Sequence, residues 1–562
     1  MALIDIHNFN FTYPNAKQKA LTNINVSIED GEFVVICGPS GCGKTTLLSQ
    51  LKREISPEGE LSGEIYYKGK PIKNISKGQA VKEIGLVFQD PEDQIVVDTV
   101  IHELAFSMEN IGYTKSIMKK RLAEMANFFG LEKILYKPVL ELSGGEKQII
   151  NLASVLLLQP KVLLLDEPTS QLDPVAAKQF LQMLYRLNRE LSTTIIMSEH
   201  RLEDVLPMAD KVLLMQRGRL KYCGSPRKVS HQVIESEDNN FLNFLPTVVK
   251  MYSCFTGNTE QDKMPLDVRE AKTVISRFIS RTDNKKIHIT DDKNRMRNQK
   301  SPILSIKGID FRYEKDAPNV LNNLSLDVFK GELISVLGGN GTGKSTLLQV
   351  IAGLRKPQRG KIYLEGTEIF RIAEEERYQK IGYLAQNPML YFINDTVEDE
   401  LYKRADALKT KVKHVEKLLE DYVNLFGLKN LLSRHPYDLS GGEKQKLAIT
   451  TVLLSAPKII LMDEPTKGLD PSFKLEFGEI LKTLTKSGAT LILVSHDIEF
   501  VARISTSCAL LFGGEIASKD SPRIFFSKNY FYTTAVNRTV REMLPNAITL
   551  EDVLKTCKIT SI

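Results

Sequence analysis

Short apolar runs that end in polar residues recur along this sequence and predict buried strands. V-L-L-L-D-E at 162–167 and I-I-L-M-D-E at 459–464 each finish on two carboxylates. E-F-V-V-I-C at 32–37 and the run at 333–337 each lead into a glycine-rich loop and then into a predicted helix. Continuous apolar runs of this length are typical of parallel strands covered on both faces. The pattern therefore predicts an α/β fold class.

The pattern occurs twice because the sequence is internally duplicated. The string L-S-G-G-E-K-Q stands at 142–148 and again at 439–445, and Lys44 has a counterpart in Lys344. Offsets that stay between 296 and 300 residues through all such landmarks indicate a duplicated domain. The expected organisation is a first repeat at 1–230, a small appendage and basic linker at 231–301, a second repeat at 302–530, and a folded C-terminal tail at 531–562.

Both glycine-rich loops match a phosphate-binding pattern. G-P-S-G-C-G-K-T at 38–45 and G-G-N-G-T-G-K-S at 338–345 fit G-x-x-x-x-G-K-[ST]. In such loops backbone N–H groups surround phosphate oxygens, the lysine reaches the β- and γ-phosphates, and the hydroxyl holds Mg²⁺. The nucleotide-binding residues expected here are Gly38, Gly41, Gly43, Lys44, Thr45 and Thr46, and in the second half Gly338, Gly341, Gly343, Lys344, Ser345 and Thr346.

The acidic pairs are expected to supply the chemistry. Ligands of parallel sheets bind at the carboxyl ends of strands, so Asp166 and Asp463 are placed to orient Mg²⁺. Glu167 and Glu464 are placed to polarise an attacking water as general bases. The alternative is that these carboxylates only cap the strand ends.

Histidines and tyrosines recur at matched positions as well. His200 and His496 end two further predicted buried strands, at 193–200 and 490–496, and we expect them to sense the γ-phosphate; a structural histidine is the alternative. Tyr13 and Tyr313 each precede the first glycine of a loop by 25 residues and are placed to stack on adenine, whereas a core tyrosine is the rival interpretation.

Composition adds limits to this picture. Apolar residues make up 42% and charged residues 26% of 562 positions, which is ordinary for globular proteins, and the net charge of +6 does not by itself indicate nucleic acid. No stretch approaches the roughly 18 apolar residues of a membrane helix, and Asp5 and His7 stand where a secretion signal would be apolar, so export is not expected. The six cysteines show no paired spacing, which favours a reducing cytosol.

With loop, L-S-G-G-E-K-Q signature and acidic pair in this order, each half resembles an ATP-binding cassette ATPase. The resemblance implies two P-loop cassette domains, each with a RecA-like core sheet, an antiparallel β subdomain and an α-helical subdomain. It implies hydrolysis of ATP with Mg²⁺. It also implies that the two cassettes pair head to tail within one chain, with each ATP held between the loop of one cassette and the signature of the other.

The resemblance extends the set of expected site residues. The metal ligands would be Thr45, Gln89 and Asp166 in the first cassette, and Ser345, Gln386 and Asp463 in the second. The signature residues facing the opposite nucleotide would be Ser143, Gly144 and Gly145, and Ser440, Gly441 and Gly442. Gln171 stands where the family usually has a small residue, so slightly asymmetric communication between the sites is expected.

The segment V-F-Q-D-P-E-D-Q-I-V at 87–96 is similar to that of ATPases from energy-coupling factor importers of cobalt and vitamins. The similarity implies ATP-driven uptake of a vitamin, a cobalt or nickel ion, or a similar micronutrient. It implies a peripheral protein on the cytoplasmic face of the cell membrane, bound to an integral T component and a substrate-binding S component.

Glu92 and Asp93 would contact basic residues of the T component, although a solvated helix start is the alternative. The second half reads L-A-Q-N-P-M-L-Y-F-I-N at 384–394 and lacks these acids, so the two membrane contacts should differ. Two other functions remain open: a soluble tandem cassette ATPase acting on ribosomes or nucleic acid, and the tandem ATPase of a sugar importer. Nucleic acid is not expected as a partner.

Overall fold

The computed structural model comprises two compact units, Met1–Ala271 and Lys272–Ile562. The structure describes residues 2–16, 18–170, 172–200, 202–256, 260–281, 301–409 and 412–557. Gln171 and most of the predicted basic linker, 282–300, lie outside the described residues.

Each unit contains ten strands. Those of unit 1 are β1 (Ile4–Thr12), β2 (Leu21–Ile28), β3 (Phe33–Cys37), β4 (Glu60–Tyr67), β5 (Lys70–Pro71), β6 (Ile84–Val87), β7 (Val162–Asp166), β8 (Thr194–Ser198), β9 (Lys211–Gln216) and β10 (Arg219–Gly224). Those of unit 2 are β11 (Leu304–Phe311), β12 (Leu321–Val328), β13 (Leu333–Leu337), β14 (Arg359–Leu364), β15 (Thr367–Glu368), β16 (Ile381–Leu384), β17 (Ile459–Asp463), β18 (Thr490–Val494), β19 (Ser507–Phe512) and β20 (Glu515–Asp520). These counts refer to the described ranges.

The described α-helices divide evenly along the chain. The first ten are α1 (Lys44–Gln50), α2 (Lys77–Glu83), α3 (Val100–Ile111), α4 (Lys115–Phe129), α5 (Gly144–Leu156), α6 (Pro174–Leu191), α7 (Pro226–Glu235), α8 (Asn239–Leu242), α9 (Thr247–Thr256) and α10 (Val268–Arg281). The next ten are α11 (Lys344–Ile351), α12 (Glu374–Lys380), α13 (Val397–Leu408), α14 (Val415–Leu425), α15 (Gly441–Leu453), α16 (Pro471–Lys486), α17 (Ile498–Ile504), α18 (Pro522–Lys528), α19 (Ala535–Val540) and α20 (Leu550–Cys557).

The two units share one sheet topology. In unit 1 a six-stranded sheet has the order β10-β9-β3-β8-β7-β6, and a four-stranded antiparallel sheet has the order β2-β1-β4-β5. Unit 2 repeats both orders with β20-β19-β13-β18-β17-β16 and β12-β11-β14-β15. In each large sheet every pairing is parallel except one. The exceptions are the antiparallel pairs of β10 with β9 and of β20 with β19. This arrangement confirms the predicted α/β fold with two copies of one domain.

The central strands form the core of each unit because their residues are apolar on both faces. All five residues of β3, β7 and β8 are buried, and the same holds for β13, β17 and β18. A strand covered on both faces has no polar side, so the period-two alternation of an exposed strand is absent. The carboxyl ends of these parallel strands lie along one edge of the sheet, where the predicted site residues follow them.

Helices α3, α4 and α5 form a separate apolar layer in unit 1, with a core that includes Val100, Leu104 and Ile150. The helix α5 begins at a capping box: the Ser143 hydroxyl accepts the N–H of Glu146, and the Glu146 carboxylate accepts the N–H of Ser143. Reciprocal capping satisfies two N–H groups that a helix start leaves unpaired. This layer corresponds to the predicted α-helical subdomain.

Each unit continues past its sheets into a few helices held by an arginine–acid pair. In unit 1, Arg227 at the start of α7 donates twice to Glu270 of α10, over 2.8 Å each. In unit 2, Arg523 at the start of α18 donates to Asp552 of α20 over 2.6 Å. Both acids also accept a backbone N–H from the turn before their own helix. The duplication therefore extends into these C-terminal helices.

Candidate active site

Two glycine-rich loops follow strands β3 and β13 and lead into helices α1 and α11. The last glycine of each loop has a positive φ, 104° for Gly43 and 97° for Gly343, a conformation that favours glycine. A Cβ at Gly43 would lie 2.8 Å from the carbonyl oxygen of Ala20, and one at Gly343 would lie 2.9 Å from that of Val320. The loops therefore require glycine at both positions.

The lysine of each loop is buried and folds back over the loop. Lys44 is 5% exposed, and its Nζ donates to the carbonyl oxygen of Gly38 over 3.0 Å. Lys344 is 7% exposed, and its Nζ donates to the carbonyl oxygens of Gly338 and Gly339 over 3.1 and 2.8 Å. A buried ammonium group inside a loop of this kind is matched to an anionic ligand such as a phosphate.

The hydroxyl group that follows each lysine contacts the first carboxylate of the acidic pair. The Thr45 hydroxyl lies close enough to Asp166, and the Ser345 hydroxyl close enough to Asp463, to favour the charged carboxylate. Burial raises the pKa of both carboxyl groups, although the hydrogen bond from Ser198 to Asp166, the two nearby hydroxyls and nearby lysine charge oppose the rise. Because a buried carboxylate is costly when it is charged, a cation bound beside it would offset that cost.

These oxygen atoms fit a hard divalent cation. Within the described ranges no hydrogen-bond donor reaches the buried Oδ1 of Asp463. Carboxylate and hydroxyl oxygens are the ligands that Mg²⁺ prefers in nucleotide sites. Gln89 donates its Nε2 to Glu167 over 2.9 Å, so only its amide oxygen is available to a metal. The corresponding Gln386 is exposed two residues beyond the end of β16.

Glu167 lies at the centre of the first acidic cluster. Its Oε1 lies 2.7 Å from Nε2 of His200 and 3.8 Å from Nζ of Lys44, and its Oε2 accepts from Gln89. Burial would raise the pKa of Glu167, but the hydrogen bond from His200 and the charges of His200 and Lys44 outweigh burial and lower the pKa. The side chain is therefore held as a carboxylate, the form that accepts a proton.

Glu464 occupies the same place in unit 2 with different contacts. Its Oε1 lies 3.3 Å from Nε2 of His496, and its Oε2 accepts the backbone N–H of His496 over 3.2 Å. Both Glu167 and Glu464 have a positive φ, 41° and 50°. A non-glycine residue in this region costs roughly 1–3 kcal/mol, and such strain is concentrated at functional sites.

The strands before the two histidines are shorter than predicted. β8 ends at Ser198 and β18 ends at Val494, so each histidine stands two residues beyond its strand. The extra turn brings the imidazole of His200 or His496 beside the second glutamate of the pair.

The two predicted adenine-stacking tyrosines stand next to the loops. The hydroxyl groups of Tyr13 and Thr46 are 3.0 Å apart, and those of Tyr313 and Thr346 are 2.9 Å apart. The two rings are 40% and 52% exposed, so neither is a core tyrosine. The guanidinium carbon of Arg355 lies 4.7 Å from the ring centre of Tyr313. Each tyrosine thus presents an accessible ring beside a phosphate loop.

Both signatures stand at the start of a long helix. Ser143 and Ser440 cap α5 and α15 through identical boxes, with each serine hydroxyl donating to the glutamate three residues later over 2.8 Å. The N–H groups of a helix start attract anions. The pairing of each signature with the loop of the other unit stays a prediction.

The segments after Gln89 and Gln386 diverge in sequence but share one anchor. Gln94 accepts the N–H of Phe88 over 3.1 Å and donates to the carbonyl of Leu86 over 3.3 Å. In unit 2 a tyrosine hydroxyl at the matching position, Tyr391, makes both contacts with the matching backbone, over 2.8 and 2.6 Å. Different side chains therefore hold the same turn.

The acids predicted to contact a membrane partner are not equivalent. Glu92 is exposed and forms an ion pair with Lys147 of the signature helix α5. Asp93 is exposed on the same turn. The structure thus links this turn to the signature within unit 1.

Three further contacts were not predicted from the sequence, one inside the acidic cluster and two that cap later helices. Ser198 donates to Asp166 Oδ1 over 2.5 Å. Glu203 accepts the N–H of Thr247 at the start of α9 over 2.9 Å, and Glu499 accepts the N–H of Ala535 at the start of α19 over 2.6 Å. Each glutamate stands three residues after a site histidine, and that repeated spacing was visible in the sequence.

Comparisons with known proteins agree with this geometry. The ABC transporter family profile matches residues 21–170 and 321–467. A Bacillus cereus protein described as a candidate ABC transporter ATP-binding protein is 45% identical over 557 residues, covering 99% of this chain and 98% of its own. YkoD of Bacillus subtilis, described as a candidate HMP/thiamine import ATP-binding protein, is 30% identical and covers 94% of this chain and 93% of its own.

Among solved structures, cbiO1 from Clostridium perfringens is described as part of the ABC transporter complex cbiONQ. It is 32% identical to this chain, covers 43% of this chain and 98% of its own, and has a TM-score of 0.38.

Fold and site together define a P-loop ATPase with two nucleotide-binding cassettes. The chain belongs to the ABC transporter ATP-binding family and is a tandem ABC ATPase. No helix in the described part of the chain has the length and hydropathy to cross a membrane.

Proposed function

We propose that this chain is the ATPase motor of an energy-coupling factor importer that takes up a vitamin, a cobalt or nickel ion, or a similar micronutrient. The support comes from two sources. The segment at 87–96 is similar to that of such ATPases. YkoD, a relative across 94% of the chain, is described as an import ATP-binding protein.

In this proposal the acidic clusters hydrolyse ATP. Glu167 and Glu464 accept a proton from the attacking water, and His200 and His496 hold those carboxylates in place and contact the γ-phosphate. Lys44 and its counterpart in unit 2 bind the phosphates. Bound Mg²⁺ supplies charge neutralisation for the phosphates and would be held by Thr45, Asp166 and Gln89, or by Ser345, Asp463 and Gln386.

The two nucleotide sites are composite in this proposal. Each signature completes the site of the other cassette, so ATP binding favours the paired state because that state binds ATP better. The cassettes would span 1–230 and 302–530, with the appendage and linker at 231–301 and the tail at 531–562.

The proposed membrane contacts are acidic in one cassette and apolar in the other. Asp93 and Glu92 would face basic residues of a T component, and an S component would bind the substrate. At the matching turn of unit 2, Leu390 and Ile393 are 72% and 89% exposed. Exposed apolar side chains grouped on one turn favour contact with an apolar protein surface.

The observation that carries the ATPase part of the proposal is the recurrence of complete half-sites in both units: loop lysine, acidic pair, histidine and capped signature. The test is affinity purification of the tagged protein from native membranes, followed by identification of the integral proteins bound to it. We expect two integral partners, retained by the wild type and by Asp262→Lys, which changes an exposed acid of the appendage.

Asp93→Lys should release the integral partners while ATP hydrolysis persists, because it reverses charge on the proposed contact. Ribosomal proteins in place of membrane proteins would contradict the importer assignment and favour the ribosome-acting alternative. Partners of a sugar importer would leave the motor function standing and exclude the energy-coupling factor type.

A further inference from the structure

One buried acid of the first cassette has no acidic counterpart in the second. Glu199 is 4% exposed and stands between the end of β8 and His200. The strand registers pair Asp166 with Ser198 and Asp463 with Val494. The residue after Val494 is a serine, so Ser495 occupies the position of Glu199.

The carboxylate of Glu199 joins two segments of the site. Its Oε1 accepts both the backbone N–H of Thr169, over 3.3 Å, and the hydroxyl of Thr169. Its Oε2 accepts the backbone N–H of His200 over 3.1 Å. Thr169 lies in the turn that follows the acidic pair, and His200 contacts Glu167. Glu199 therefore fixes the two neighbours of Glu167 relative to each other.

In the second cassette the corresponding two segments are connected by different contacts. The hydroxyls of Ser495 and Thr466 are 3.5 Å apart, and Ser495 also accepts the N–H of Asp497 over 3.1 Å. The backbone N–H of His496 donates to Glu464 itself, over 3.2 Å. In unit 1 the matching N–H is taken by Glu199 and does not reach the proposed base.

The distance between the proposed base and its histidine also differs between the two units. Oε1 of Glu167 lies 2.7 Å from Nε2 of His200, whereas Oε1 of Glu464 lies 3.3 Å from Nε2 of His496. The two acid–histidine pairs are thus held in different geometries by different neighbours.

We propose that Glu199 is a positioning residue that sets the Glu167–His200 geometry in the first cassette and so makes the two ATP sites unequal in hydrolysis. The proposal rests on the proposed role of Glu167 as general base. Glu199 acts through Thr169 and His200 and does not itself touch the nucleotide. Small displacements of a reacting group are enough to change rates strongly.

The hydrogen-bond chemistry makes Glu199→Gln a sharp perturbation. Two backbone N–H donors and one hydroxyl are among the groups that face the side chain, and a carboxylate accepts from all three. A glutamine of the same shape presents an NH₂ group on one side, so at least one oxygen acceptor is lost. The substitution keeps the volume of the side chain but removes an acceptor oxygen and the negative charge.

The experiment uses the full-length protein and measures nucleotide trapping in each cassette separately. Vanadate traps nucleotide only at sites that turn over, so we would trap 8-azido-ATP, photolabel, and quantify labelled peptides from each cassette by mass spectrometry. For Glu199→Gln we expect the label in the first cassette to fall about tenfold relative to the second, with an almost unchanged KM for ATP. Asp262→Asn, which makes the same carboxylate-to-amide change at an exposed acid of the appendage, serves as the control and should keep the wild-type ratio.

A purely structural role would lower the labelling of both cassettes together and leave their ratio unchanged. A wild-type label ratio in Glu199→Gln therefore overturns the positioning role. Glu167→Gln separates this failure from failure of the base assignment: if Glu167→Gln keeps the first-cassette label, the base assignment is wrong. If Glu167→Gln loses the label and Glu199→Gln keeps it, only the inference about Glu199 fails.

Discussion

Ser198 donates its hydroxyl to Oδ1 of Asp166 over 2.5 Å and accepts the N–H of Glu167 over 3.0 Å. It is the last residue of β8, so one side chain orients both members of the acidic pair. In unit 2 the matching residue is Val494, and Oδ1 of Asp463 has no hydrogen-bond donor within the described ranges.

Ser198→Val should weaken metal binding at the first site. Residues that orient a metal ligand typically account for about 10–100-fold in metal affinity or activity. We expect the Mg²⁺ concentration for half-maximal ATP hydrolysis to rise by about tenfold or more at that site. Val494→Ser is the reverse substitution and should lower the Mg²⁺ requirement of the second site. Unchanged Mg²⁺ dependence in both variants would count against Asp166 and Asp463 as metal ligands.

Removal of both proposed bases should separate binding from hydrolysis. Glu167→Gln combined with Glu464→Gln keeps the size of both side chains and removes the proton acceptor. General bases typically contribute about 10²–10⁴-fold to a rate, so we expect ATP hydrolysis to fall by that factor while ATP binding persists. Steady-state hydrolysis and equilibrium ATP binding are the two measurements. Normal turnover in the double variant would show that neither glutamate is the base.

Tyr13→Ala should weaken ATP binding without changing kcat. Aromatic stacking on a base contributes about 1–3 kcal/mol in nucleic-acid systems, and 1.4 kcal/mol corresponds to a tenfold change in Kd. Tyr13→Phe keeps the ring and loses only the contact with Thr46, so its ATP affinity should stay close to that of the wild type. Equal losses in the two variants would mean that the hydroxyl, and not the ring, supports the nucleotide.

Glu499→Ala should loosen the C-terminal helices of unit 2. Its carboxylate accepts the N–H of Ala535 at the start of α19 over 2.6 Å. Loss of a capping acceptor usually costs about 0.5–2 kcal/mol. Hydrogen exchange of the amides in Ala535–Val540 should speed up accordingly, whereas Glu499→Gln, which keeps an acceptor oxygen, should remain protected. Identical exchange in the two variants would argue against capping by Glu499.

Much of the site could be predicted because its residues follow apolar runs in fixed order. The strands before Asp166 and Asp463 are buried on both faces as their composition requires, and the glycines of both loops occupy backbone geometry that other residues avoid. The local sequence pattern was sufficient to predict a residue's place where the structure requires one residue type, such as glycine at a positive φ.

The remaining contacts depend on distant parts of the chain. Gln94 and Tyr391 are different residue types, yet they anchor corresponding turns in the two units. Both can do so because an amide and a phenol each donate and accept hydrogen bonds. Glu92 reads as a solvated acid, but Lys147 reaches it from a helix more than fifty residues later. Sequence spacing alone does not reveal such partners.

The duplication also fixes the ratio in which the two cassettes are produced. In a homodimer of a single cassette, any substitution occurs in both copies. A change at Ser198 or Glu199 would therefore alter both sites equally. In a single chain the two versions are made in a one-to-one ratio by every round of translation. Each cassette can therefore acquire substitutions that the other cassette does not share. Ser198 in the first cassette and Val494 in the second are encoded in one chain and are inherited together.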